Sequence, residues 1–243
     1  MLKKIIDKRL INRGLLAATR YTATTSLSTK ETNGVKNFDQ LKEEIKTTKP
    51  IQALQKITSS ISFDDVHPTL FSPPPAPING FQVFDMKGEF IKFTRQNKKQ
   101  QGDFLGDKLH ISVNPQQMEK AFNVLAGLLF LTESPFDTWK ATSLNSIAQF
   151  PHIRVVKGFQ FTCYICPSQA NGYDIKDILM IRSMIISIEN LLKREGIEPG
   201  TIDQSDVKAP QWSYVSYRNE FRSSRDQPNP QLAQEDFFKL LNF

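Results

Sequence analysis

Lys108 and His110 stand two residues apart, with apolar Leu109, Ile111 and Val113 in the alternate positions. Alternation of period two marks a strand, and residues two apart project from one face. An ammonium and an imidazole are therefore expected side by side. Such a face opens on solvent, on another strand or on a cleft, solvent being the commonest. Later in the chain Arg218, Arg222 and Arg225 recur within Ser216 to Asp226. On a helix these guanidinium groups would share a face; in a loop they could converge on one point. Forked arginines match phosphate bidentately, so a doubly anionic ligand is one reading. Salt bridges to Glu220 and Asp226 are the competing one.

Other chemistries drop out on residue type. Cys163 and Cys166 are three apart on a predicted strand and so point to opposite faces, with no second pair to complete a redox or zinc site. Neither opens a Cys-x5-Arg loop, because Gln169 and Gly172 occupy the sixth positions after them. There is no Gly-rich phosphate loop, Gly-x-Ser-x-Gly or His-Glu-x-x-His. What remains is a set of cations and one tyrosine: Lys108, His110, Lys140, Arg154, Tyr164, Arg218 and Arg225. The set suits an anionic substrate and proton transfer by nitrogen bases, and no catalytic carboxylate pair is suggested. Crowded cations lower one another's pKa, so a lysine among them can serve as a general base near neutrality.

These residues need elements to hold them. Phe38, Leu41 and Ile45 recur at helical spacing and predict an amphipathic helix ending near Lys49-Pro50, with room for a second after it. Ser72 to Pro77 is a stiff Pro-rich connector ending at the turn signal Asn79-Gly80. Phe81 to Phe93 predicts two strands turning at Lys87-Gly88, and Gln96 to Gly106 a polar, mobile loop. After the strand at Lys108–Val113, Asn114-Pro115 caps a helix whose buried stripe is Met118, Phe122, Leu125 and Leu129. Phe159 to Ile165 alternates again, with Phe159, Phe161, Cys163 and Ile165 expected to be buried and Gln160, Thr162 and Tyr164 to face the other way. A long helix, Asp174 to Glu195, closes at Gly196. The fold class is α+β: one domain with a mainly antiparallel twisted sheet flanked by helices, behind a flexible N-terminal leader.

The 243 residues are 39% hydrophobic and 23% charged, enough to bury a core. The net charge of +6 would suggest nucleic acid, yet residues 1–30 hold seven basic groups and one acid. The remainder sums to zero, so the basicity belongs to a tail and nucleic-acid binding loses its support. Residues 1–36 are basic, rich in Ser and Thr and poor in acid, matching a targeting or secretion segment. A mitochondrial presequence and a plain disordered tail share that composition. No apolar run is long enough to span a bilayer, so no membrane association is expected.

Several stretches resemble a known family. They are Gly106-Asp107-Lys108-Leu109-His110-Ile111-Ser112-Val113, Ala126-Gly127-Leu128-Leu129-Phe130, Ser134-Pro135 leading to Trp139-Lys140, and Ser216-Tyr217-Arg218-Asn219-Glu220 through Arg225-Asp226. They resemble the phosphothreonine lyases, the OspF/SpvC family of bacterial type III secreted effectors, in the same order from about Phe81 to Asp226. The resemblance implies a carbon–oxygen lyase that eliminates phosphate from phosphothreonine and leaves dehydrobutyrine. Its substrates would be host MAP kinases carrying phosphothreonine-x-phosphotyrosine, and it would need no cofactor and no metal. It implies a chain passed by type III secretion machinery into the host cell, and a monomer is expected. The division expected is 1–36 leader (secretion, with a kinase-docking role as an added reading), 37–80 helix and connector, and 81–243 catalytic domain.

By the same resemblance Lys140 is the general base, His110 the general acid and Lys108 the cation that stabilises the enolate-like charge and helps keep Lys140 neutral. Arg154, Tyr164, Arg218 and Arg225 match further site positions, the arginines binding phosphate. Placing Arg154 requires two extra residues after Lys140. Phe90 and Phe104 fall where the family has aromatics near the peptide, ordinary packing being the plain alternative. The chain departs from the family at Cys166, where a lysine often follows the tyrosine by two; Arg95 or Lys157 are the compensating candidates for the second phosphate. Two other readings stand beside the lyase: a phosphopeptide-binding module without turnover, and a lyase for a different phosphoprotein.

Overall fold

A computed structural model describes residues 38–48, 61–63, 66, 76–86, 88–143, 147, 158–170, 172–224 and 227–242. The leader, a second helix after Pro50, Ser72 to Pro75 of the connector, Lys157, Arg154 and Arg225 lie outside the described residues.

Helix α1 (Phe38–Thr47) buries Leu41 and Ile45, the stripe its spacing predicts. It stops ahead of Lys49-Pro50, as the restriction on a residue preceding proline requires. Asn79 and Gly80, with φ of 47° and 80°, form the corner that pairs Ile78 with Phe81. Strand β1 (Phe81–Met86) then runs antiparallel to β2 (Phe90–Arg95), and Gly88 takes φ of 75° in the turn between them.

Strand β3 (Asp107–Ile111) leads to Asn114, whose side chain accepts from the Gln116 amide and starts a 3-10 turn at Pro115. Helix α2 (Met118–Leu129) continues it and buries Met118, Phe122, Leu125 and Leu129. Strands β4 (Thr138–Thr142) and β5 (Phe161–Tyr164) follow. Helix α3 (Ile175–Arg194) begins with a reciprocal cap, the Asp177 amide donating to the Asp174 carboxylate and the Asp174 amide to that of Asp177. Gly196, at φ of 66°, ends it. Strand β6 (Val215–Asn219) and helix α4 (Asp236–Asn242) complete the described elements.

The six strands form one sheet in the order β1-β2-β4-β5-β3-β6, every pairing antiparallel. Its pleat sorts side chains into two layers. Ile91, Phe93, Trp139, Ala141, Phe161, Cys163, Leu109, Ile111, Val215 and Tyr217 are buried in one hydrophobic core with the stripes of α2, α3 and α4. Each large apolar side chain so buried contributes about 1.5–3 kcal/mol. Trp139 stacks on Phe93 at 3.9 Å between centroids, and Phe122 packs edge-on against Phe63 at 5.1 Å.

The loop from Gln96 to Gly106 has no regular element, as expected, yet it is held down. Both Lys99 and Gln100 amides donate to the Asp137 carboxylate, and the Gly102 amide donates to the Pro167 carbonyl.

Candidate active site

The register of the sheet assembles the second face. In one row Lys92, Lys140, Thr162, His110 and Ser216 stand across β2, β4, β5, β3 and β6. In the next row Thr94, Thr138, Tyr164, Lys108 and Arg218 do the same. Opposite residues of an antiparallel pair share a face, so four strands, of which the sequence predicts β3 and β5, bring Lys140, Tyr164, His110, Lys108 and Arg218 together.

The Lys108–His110 face is not solvated. Lys108 is 9% exposed, His110 5% and Arg218 4%. Flanking residues cover this strand on both sides, so alternation marks a change of layer here and not a change from core to water. Of the three arginines, Arg218 and Arg222 are described, and they do not share a helix or a loop. Arg218 lies on β6, whereas Arg222 stands outside the site, donating to both carboxylate oxygens of Glu235 at 2.8 and 2.7 Å. Glu220 pairs with Lys108 instead, Nζ to Oε2 at 2.9 Å. The Asn219 side chain explains this: its Oδ1 accepts from the Phe221 and Arg222 amides at 3.0 Å each and folds the chain back after β6. Gly106 makes room, since a Cβ there would stand 2.6 Å from that same oxygen.

His110 is set by a residue that sequence reasoning missed. Its Nδ1 lies 2.6 Å from Oδ2 of Asp206, whose side chain is fully buried. The carboxylate also accepts from Ser216 Oγ at 2.8 Å, and an Arg218 nitrogen lies 3.8 Å from it. Because a carboxylate accepts, Nδ1 carries the hydrogen and Nε2 is left as the working nitrogen. Asp206 reaches this place through a tight turn, the Ser205 amide and hydroxyl both donating to Asp203 Oδ1 at 2.8 and 2.6 Å. The next residue, Val207, exchanges backbone hydrogen bonds with Tyr217 and fastens the turn to β6. The only signal in the sequence is a turn-rich run, Asp203 to Asp206.

The electrostatics follow. Burial lowers the His110 pKa, with Asp206 opposing the shift. Burial likewise lowers that of Lys108, with Glu220 opposing it. Lys140 is half-buried and its Nζ stands 3.8 Å from the Phe90 ring centroid. Phe104 packs edge-on against Tyr164 and Phe221, each at 5.7 Å. Phe90 thus flanks Lys140 and Phe104 flanks Tyr164, and neither belongs to the core cluster.

Phe159 is buried, as the alternation predicts, but in the other layer from Phe161: it is outside the core cluster and its ring lies 4.4 Å from that of His110. The cause is a φ of 59°, which breaks the alternation one residue before Gln160 and turns the ring to the other layer. The Phe159 amide is held by Ser112 Oγ at 3.0 Å.

Arg95 cannot stand in for a cation at position 166. It is 7% exposed, its Nε donates to Asp137 Oδ1 at 2.8 Å, and its guanidinium covers the Phe81 ring on the core side. Cys166 lines a cavity of about 630 Å³ with Lys99, Asp137, Asp177 and Ile181, and burial raises its thiol pKa. Cys163 is inside the core. No group of metal-ligating side chains occurs among the described residues.

Comparison with known proteins decides the family. The OspF/SpvC model matches residues 7–242. The chain belongs to the OspF/SpvC family. It is 42% identical over 167 residues to the phosphothreonine lyase OspF of Shigella flexneri, covering 67% of this chain and 69% of that protein. It is 41% identical over 156 residues to the MAPK phosphothreonine lyase of Salmonella typhimurium, covering 63% and 64%. Among solved structures, the VirA (SpvC) phosphothreonine lyase effector of Chromobacterium violaceum superposes with a TM-score of 0.77 at 35% identity, over 85% of this chain and 96% of that one. The type III effector OspF of Shigella flexneri gives 0.71 at 35% identity, over 84% and 96%. The α+β sheet expected from the sequence is thus the fold of the OspF/SpvC family.

Proposed function

We propose that the chain is a phosphothreonine lyase that eliminates phosphate from activated MAP kinases of a host cell. One observation carries the reading beyond family membership: Lys140 and the Asp206-oriented His110 stand in one row of one face, separated by a single strand. Strands lie about 4.8 Å apart, so the two side chains flank a gap of about 10 Å at the backbone. A phosphothreonine side chain fits between them, with its Cα toward Lys140 and its phosphate toward His110.

The Lys140 amine takes the Cα proton, and the electron pair forms the Cα=Cβ bond. The Cβ–Oγ bond breaks as His110, entering the step as an imidazolium that Asp206 stabilises, gives its Nε2 proton to the departing phosphate oxygen and keeps the hydrogen on Nδ1. Phosphate and dehydrobutyrine result, and no water enters. A Cα proton is weakly acidic, so the charge passing onto the carbonyl needs a cation; Lys108 supplies it. Glu220 supports the charged form of Lys108 until then. Arg218, with Arg154 and Arg225 by family resemblance, holds the phosphate. Tyr164 lines the row beside Lys108. A module that only binds phosphopeptides has no use for a histidine whose tautomer a buried carboxylate sets.

The catalytic domain is placed at 81–243, with 1–36 as leader and 37–80 as helix and connector. The leader serves delivery by type III secretion machinery, and the enzyme works as a monomer. Mass spectrometry of a phosphothreonine-x-phosphotyrosine peptide, incubated with the protein and a chelator, tests the reaction. Dehydrated threonine is the expected product; plain threonine would mean hydrolysis, and unchanged peptide that still binds would mean a binding module.

A further inference from the structure

The site face holds one charge that the reaction above does not use. β2 pairs with β4 so that Lys92 stands directly opposite Lys140, both half-buried. Opposite residues of an antiparallel pair have Cβ atoms about 4.5–5.5 Å apart, and like charges so placed destabilise a sheet. The chain carries the pair nonetheless.

Among the described residues, the other charged groups on this face have partners of their own. Lys108 is matched by Glu220 at 2.9 Å, His110 by Asp206 at 2.6 Å, and Arg218 lies 3.8 Å from Asp206. Thr162 stands between Lys140 and these groups, with the Tyr164 phenol beside it. Phe90 favours the ammonium form of Lys140 through its ring face. Lys92 makes no ion pair among the described residues. Lys108, which by resemblance helps keep Lys140 neutral, lies in the next row two strands away and is paired with Glu220, whereas Lys92 stands on the neighbouring strand.

We propose that Lys92 holds Lys140 in the neutral amine form that abstracts the proton. The inference rests on Lys140 being the base. Lys92 is a positioning residue here; it touches neither substrate nor reacting atoms. An ordinary lysine is neutral in roughly one part in 10³ at pH 7. An ammonium carried on the facing position of the neighbouring strand would lower that pKa by about one unit and multiply the working base about tenfold.

The test is the pH profile of kcat/KM for a phosphothreonine peptide in wild type, Lys92→Gln and Lys92→Arg, with peptide affinity measured alongside. In Lys92→Gln the limb assigned to the base should move up by about one pH unit, and the rate at pH 7 should fall about tenfold. At high pH the variant should meet or exceed wild type, since a less depressed amine is the stronger base. Lys92→Arg should restore the wild-type limb, and Lys92→Met repeats the measurement should Lys92→Gln fail to fold. An unmoved limb overturns the proposal, whether KM rises, as for a substrate contact, or nothing changes, as for a solvated lysine. A Lys140→Ala control separates the two failures: if it keeps the wild-type profile, the base assignment itself is wrong.

Discussion

The two faces of the sheet are built from the same strands and ask opposite things of them. On the helix side Ile91, Phe93, Trp139, Phe161, Leu109 and Val215 are interchangeable in kind: each is large, apolar and buried. What that layer needs is volume. On the other side every position is particular. Lys140 must stand one strand from His110, and His110 must meet Asp206. A slip of one residue in any pairing would exchange the layers along that strand. The core therefore enforces the register, and the register places the chemistry.

That comparison can be broken from either side. Lys140→Ala should lower the elimination rate roughly 10⁴-fold, the upper range for a general base, with the thermal midpoint nearly unchanged. Single-turnover kinetics and a melting curve on one preparation check this; a large loss of stability would mean the site face also carries the fold. Phe122→Ala should do the reverse, costing about 3–5 kcal/mol by denaturant titration while the rate per folded molecule stays at wild type. Asp206→Asn falls between: it should lower kcat roughly 10²-fold by loosening the His110 tautomer, with phosphopeptide affinity retained. An unchanged kcat would make the carboxylate merely structural.

The smallest effect is on stability against pH. Burial lowers the pKa of His110 in the fold, so between that lowered value and about 6.5 the unfolded chain binds the extra proton. The contribution is complete above about pH 6.5 and is lost as the pH falls. Chemical denaturation from pH 7.5 to 5 should show a loss in wild type that is weaker in His110→Gln. Equal slopes would mean that the imidazole is not desolvated.

Most of the scaffold was legible because it is local. Alternation found β3 and β5, helical stripes found α1, α2 and α3, and Asn79-Gly80, Lys87-Gly88 and Gly196 marked their ends. The cations of the second face were legible as residue types, and the family motifs, more than their spacing, set them apart from a solvated face or plain salt bridges. Their partners were not. Asp206 meets His110 across 96 positions of chain, from a turn with no periodicity of its own. Arg218 was read as part of an arginine cluster because spacing cannot show that β6 joins β3 at the far edge of the sheet. Arg95 was available to any role until its pairing with Asp137 was seen.

Phe159 has a wider consequence. Alternation is a two-beat rhythm, and a residue with φ of +59° drops a beat. That conformation costs a bulky side chain about 1–2 kcal/mol, and glycine would bear it more easily. Glycine, however, would leave one flank of His110 bare. The chain keeps the more strained residue, and its length there is fixed as firmly as its composition. Deleting one residue between Gly158 and Phe161 would be felt twice: as an aromatic ring pressed among helices already full, and as an opening beside the imidazole.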